Sequence, residues 1–347
     1  MVGVDLNISA EVLDFHGQLF VMDGVALSYV LDEPYTERVL SGGVNACIVT
    51  VAAEEDWGRV PLWEATLRLV EAALRKIEDN PSMTLATCAA DLLEAQRQGK
   101  LGVVMGFQSA SMIGRDFWRL KLLHELGLRC LQLTFTFANL YGDGNGERRN
   151  AGLSLLGVEF VQAVNEYRML LDLSHCGERT ALDAIEHATA PVCTHANAYT
   201  LNPTAMCKTD EAVKAMVAKG GMIGVQCWPR ALNSQHPETV TIDDVIDHVD
   251  HFVKLVGLKN VGFGLGFTEG LREQNRLFNE SKRMYTLRPD IYGDVRDFVE
   301  MSYPRGLESI RLLPNLTQRL LDRGYAQDEL GGLLGGNWLR VLHSAIG

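Results

Sequence analysis

The chain has 347 residues, 47% hydrophobic and 22% charged, with a formal net charge of -12 at pH 7. That length supports a substantial core, as one large barrel or as two ordinary domains. The acidic balance argues against nucleic acid and anionic membrane surfaces as partners, since both are recognised through basic patches.

The chain starts MVGVDLNISAEVLDF, with no basic stretch followed by a long apolar run, and no later segment approaches the apolar length of a membrane span. Strand-like runs then follow one another: QLFVMDG, NACIVTV, GVVMGF, RCLQLTF, MLLDLS, PVCT, MIGVQC and NVGFGLG. Each is short, apolar or β-branched, and closed by a small or polar residue. Between them run helical patterns such as PLWEATLRLVEAALRKIED, DFWRLKLLHELG, LLGVEFVQAVNEYR, ERTALDAIEHAT, TDEAVKAMVAKGG and TIDDVIDHVDHFVKLVG, several stopped by glycine. Eight βα units predict an α/β fold, a (β/α)8 TIM barrel in a single domain over 1–347, with its site on the loops at the strand C-termini. The Gly-rich loop from Ala138 to Leu153 is either a lid over that site or a solvated loop. From Leu271 to Pro304 the chain is polar and irregular, and PNLTQRLLDRG and DELGGLLGGNWLRVLHSAIG read as extra C-terminal helices.

Seven cysteines, at 47, 88, 130, 176, 193, 207 and 227, form no CxxC pair and are too sparse for a disulfide scaffold. They suit a reducing compartment, so a cytoplasmic location is expected. Those at 47, 130, 193 and 227 lie in apolar runs and read as small buried hydrophobes.

The chemistry-bearing residues concentrate at two adjacent strand ends. His175 in MLLDLSHCGERT and His195 in PVCTHANA are separated by one helix, the arrangement in which a barrel presents metal ligands at its open face. Asp172 and Asp23 also sit at strand ends, and Asp23 reads as the brace of a turn. Carboxylates to complete a two-metal centre are hard to find.

Several strings occur together and in order: MDG on the first strand, GFQSA on the third, DLSH on the fifth, THANA on the sixth, GFGLGFTEG on the eighth, then PNLTQRLLDRG and GGNWLRVL. In these the chain resembles the membrane dipeptidase (renal dipeptidase, peptidase M19) family along nearly its whole length. The resemblance implies an amidohydrolase-like, metal-dependent hydrolase barrel, a small-molecule substrate and a homodimer. It also implies a set of site positions, and many are altered here. The family's His-x-Asp after the first strand matches Val25 and Leu27, and its bridging carboxylate matches Gln108. Its transition-state histidine matches Phe135, its substrate-holding arginine matches Met206, and its proton-transferring aspartate matches Gly266. His175 and His195 match retained metal ligands.

Dipeptide hydrolysis in such a family needs two bridged cations to acidify a shared water and a base to move its proton. Two neutral imidazoles cannot balance the charge of a dinuclear site, so the expected cofactor is one zinc or other divalent metal, or none. The catalytic candidates are His175, His195 and Gln108, an amide able to hold a polar ligand without metal. Phe135, Met206, Val25, Tyr199 and Glu269 read as the substrate-facing set, and Glu269 could also supply a displaced carboxylate. Three functions compete: a divergent hydrolase acting on a small amide, amino-acid derivative or modified metabolite; a catalytically silent barrel that binds a ligand or partner; and an ordinary zinc dipeptidase.

Overall fold

The structure is a computed structural model that describes residues 8–53, 62–270, 282–293 and 303–347. Among the described residues, eight parallel strands form the barrel: β1 (Met22–Leu27), β2 (Ala46–Ala53), β3 (Leu101–Gln108), β4 (Leu128–Gln132), β5 (Leu170–Asp172), β6 (Pro191–Val192), β7 (Ile223–Val225) and β8 (Val261–Phe263). A continuous ladder runs from β1 to β6. A bridge between Cys193 and Ile223 joins β6 to β7, and β7 pairs with β8. The circuit closes where the Gly266 N–H donates to the Val25 carbonyl at 3.3 Å.

Buried on both faces, these strands are near-continuous apolar runs rather than alternating ones. Met22, Ile48, Val104, Cys130, Leu170 and Val192 fill the interior together with Trp338 from the C-terminal helix Asn337–Ile346. The Trp338 indole N–H donates to the Phe263 carbonyl at 2.8 Å, tying that helix to β8. Gly24 lies against the same indole: a Cβ there would sit 2.6 Å from Trp338 Cζ2 and 2.8 Å from the Thr194 carbonyl. Only glycine fits at that point of β1.

The helices pack outside through apolar stripes. In the helix Leu62–Asp79 the buried residues Thr66, Val70, Ala73 and Ile77 recur every three or four positions and face β2 and the short strand Met83–Leu85. That short strand pairs with the start of β3 and is not anticipated by the sequence pattern. The C-terminal run folds as Leu313–Asp322 and Asn337–Ile346. Of the segment read as irregular, Lys282–Leu287 and Pro289–Tyr292 are helical, while 271–281 and 294–302 lie outside the described residues. No helix among the described residues is long and apolar enough to cross a membrane.

Candidate active site

Parallel pairing aligns Gln108 with Gln132 and Gln132 with Asp172, so these three residues form a row across the C-terminal ends of β3, β4 and β5. Residues in register share a face of the sheet. Asp172 organises the row. One carboxylate oxygen accepts from Ser174 N (3.0 Å), Ser174 Oγ (2.5 Å) and Thr194 N (2.9 Å), and the other from Thr194 Oγ1 (2.8 Å). Ser174 Oγ in turn accepts from His195 N at 3.0 Å. A single buried carboxylate thus fixes both residues that precede the histidines.

The consequence is a tight imidazole pair, with His175 Nε2 and His195 Nε2 3.0 Å apart. Their tautomers follow from their partners. Thr194 gives its hydroxyl proton to Asp172, so its oxygen accepts from His195 Nδ1–H at 2.7 Å. His195 Nε2 is then an acceptor and takes the proton of His175 Nε2–H. That leaves His175 Nδ1 as a buried acceptor with no partner. Burial lowers the pKa of both rings; the charges of His195 and Lys208 lower His175 further, while Asp172 partly offsets the effect at His195. Both imidazoles are therefore neutral near pH 7. The Phe135 ring packs on His175 with centroids 4.4 Å apart.

The other positions singled out in the sequence divide in two. Gln108 is buried at the barrel mouth, and Val25 is buried beside Gly266, where a side chain would meet Val25 Cγ1 only at 3.8 Å. No metal donor faces that gap from either residue. Met206 packs with Tyr285, Ile291 and Tyr292 in a separate apolar cluster. Tyr199 is 44% exposed and follows the two-residue strand after His195. Glu269 is not brought to the histidines: Arg38 Nη1 holds its Oε2 at 2.7 Å, and Ser309 Oγ and Ile310 N donate to its carboxylate. Asp23 braces no turn: it lies within β1 at the strand's bulge and accepts from Val25 N (3.1 Å) and Leu265 N (2.7 Å), tying β1 to the end of β8. The loop from Ala138 to Leu153 is not solvated at its centre, because residues 141–146 are buried and Asn145 N donates to the His175 carbonyl at 2.7 Å.

Sequence reasoning passed over four nearby residues. Gln132 Oε1 and Asn145 Nδ2 are buried and unpartnered. Ser109 has φ +135°, a conformation that favours glycine, directly after Gln108. Lys208 is buried and donates to the Cys176 carbonyl at 2.7 Å. The register beside Asp172 could have marked Gln132; nothing in the pattern CKTDEAVK marks Lys208 as buried.

Two imidazole nitrogens 3.0 Å apart can both reach one cation at the usual ~2.0 Å. Among the described residues, no group of three or more His, Cys, Asp or Glu is placed to hold a metal.

The sequence profile of the membrane dipeptidase family, peptidase family M19, matches residues 32–293 and 293–346. Dipeptidase aclJ of Aspergillus oryzae is 32% identical over 248 residues, covering 70% of this chain and 51% of its own. The match spans 51% to 61% of the length of three curated relatives. Among solved structures, an amidohydrolase from Pseudomonas aeruginosa superposes with a TM-score of 0.84 at 27% identity, covering 97% of this chain and 99% of its own. A metallopeptidase from Rhodobacter sphaeroides, bound to a phosphinate mimic of L-Ala-D-Ala, shares the fold with a TM-score of 0.77 at 20% identity, over 95% of this chain and 99% of its own. With its profile matched across most of its length and its strand-end histidines on the same barrel, this chain belongs to the membrane dipeptidase family, peptidase M19.

Proposed function

We propose that this protein is a divergent hydrolase of its family that cleaves a small amide or amino-acid derivative at the barrel mouth, without a dinuclear metal centre. The observation that carries the reading is the composition around the histidine pair. Val25 faces the gap at Gly266, Gln108 stands in the row with Gln132, and the nearest carboxylate, Asp172, is fully engaged by Ser174 and Thr194. The residues suited to chemistry are His195, held through Thr194 and Asp172, and His175, whose ring packs on Phe135.

In this reading the side-chain NH2 of Gln108 holds the substrate carbonyl, and water adds to its carbon. The proton leaving that water passes to His195 Nε2, which gives up its bond from His175 Nε2–H to receive it, and from there to the departing amine as the C–N bond breaks, so protons balance. The apolar surfaces of Val25 and Phe135 favour a substrate less polar than a dipeptide. A second reading, a barrel that binds its ligand without turnover, draws on the same full engagement of Asp172, which leaves no free carboxylate base beside the pair.

Elemental analysis after exchange into zinc and then metal-free buffer, paired with assays on dipeptide and simple amide panels, tests the proposal. We expect fewer than two ions per chain, and dipeptide turnover at least ~100-fold below that of an intact family member, the scale of losing one general base or electrostatic donor. Two retained ions with ordinary dipeptidase rates would overturn it. Tight ligand binding with no turnover on any amide would favour the second reading.

A further inference from the structure

Lys208 is 2% exposed and ranks among the largest fully buried side chains. It ends the short strand Cys207–Lys208, which pairs with Asn197–Ala198 immediately after His195. Its ammonium makes one hydrogen bond, to the Cys176 carbonyl at 2.7 Å, and among the described residues no carboxylate pairs with it. A buried charge without a counter-ion is costly to desolvate, and two of its three donors have no partner.

The neighbourhood also holds unpartnered donors. The Lys208 charge acts on both His175 and His195, unopposed by a carboxylate at His175 and against the stronger, opposite effect of Asp172 at His195. Asn145, whose N–H holds the His175 carbonyl, has a buried side-chain nitrogen with no acceptor. None of the nearby carboxylates bonds to Lys208: Asp172 accepts from Ser174 and Thr194, Asp143 from Arg149 and Ala151, and Glu178 from Thr209. A divalent cation between the two imidazoles would meet this field in a low-dielectric setting, where a like charge weighs heavily.

We propose that Lys208 sets the charge preference of the histidine pair, disfavouring a divalent cation between His175 and His195 and favouring a small carboxylate at the barrel mouth. Lys208 is a positioning residue in this account, acting through its field and through the Cys176 carbonyl that it holds. The inference rests on reading the pair as the site, but its test needs no turnover.

The test compares the full-length protein with Lys208→Met and Lys208→Arg, by zinc titration calorimetry and by ring-proton NMR of the histidines during titration with acetate or its neutral analogue acetamide. Lys208→Met should bind zinc at least ~10-fold more tightly than wild type, as expected when a nearby unit charge leaves a poorly solvated site. Lys208→Arg should not. In wild type, acetate should shift the His175 and His195 resonances further than acetamide does and should weaken zinc binding more. Unchanged zinc affinity in folded Lys208→Met overturns the proposal. If that variant does not fold, equal effects of acetate and acetamide on wild type overturn it. Hydrolysis absent with Lys208-dependent zinc affinity would retire the proposed activity and leave this inference standing; hydrolysis present with Lys208-independent affinity would do the reverse.

Discussion

Asp172 and His195 are joined through Thr194, yet their substitution should have opposite signatures. Asp172 accepts from two backbone N–H groups and two hydroxyls, so an asparagine there would turn an NH2 toward some of those donors. A buried network losing acceptors in this way costs on the order of 2–4 kcal/mol. Asp172→Asn should therefore lower the midpoint of urea unfolding clearly and loosen both histidines. His195 stands at the mouth and engages only Thr194 and His175 through its ring. His195→Ala should abolish ligand binding and turnover with a small change in melting temperature, because residues at the open end of a barrel serve chemistry more than the core. Melting curves and binding of both variants, measured side by side, decide the matter. His195→Ala that melts as early as Asp172→Asn while binding normally would make the histidine structural.

Strand β3 carries its own strain at the site. It ends at Gln108, and the next residue, Ser109, is buried with φ +135°. A non-glycine residue held in such a region costs on the order of 1–3 kcal/mol. Its hydroxyl recovers part of this by contacting Ser111 Oγ at 2.9 Å and accepting from Ser111 N at 3.2 Å. Ser109→Ala keeps the strain and loses these bonds, whereas Ser109→Gly loses the bonds and the strain together. The glycine variant should be the more stable of the two by about 1 kcal/mol or more in urea unfolding; equal stabilities would show that the backbone there is relaxed. Elements also explain what could be read beforehand. The barrel was legible because each of its strands is an apolar run buried on both faces. The first strand was placed too early, at 18–24 instead of Met22–Leu27, because Gly24 reads as a stop although it sits within the strand to clear Trp338. Met83–Leu85 escaped notice because three residues carry no periodicity. His175, His195 and Gln108 were legible as residues at strand ends. Lys208 was not, since the ribbon that buries it is set by tertiary pairing, and neither was the ion pair that occupies Glu269, whose partner Arg38 lies 231 positions away.

Across the whole molecule, the buried titratable groups predict how stability responds to acid. Burial depresses His16, His124, His175, His195 and His248 below their ordinary range. His248 can be isolated because neither His175 nor His195 is among the groups that act on it. Its Nδ1 accepts from Ala198 N at 3.0 Å, its Nε2 faces the Leu232 carbonyl at 3.3 Å, and burial brings its pKa from 6.5 to about 4. The unfolded chain then binds a proton between those values that the native chain does not, so the contribution of His248 is complete above pH 6.5 and is lost as pH falls toward 4. A shift of that size corresponds to a loss on the order of 3 kcal/mol. Asp23 runs the other way: burial raises it from 3.8 to about 7, so its contribution is present at low pH and is lost as pH rises through that window. Absolute stability curves therefore mix opposing slopes, and the informative quantity is a difference. His248→Gln keeps an acceptor for Ala198 N and a donor for the Leu232 carbonyl but cannot titrate. Urea unfolding of wild type and this variant at intervals from pH 7 to 4 should converge or cross as the pH falls, with the wild type losing stability faster. Parallel curves across that range would mean that His248 titrates normally in the folded protein.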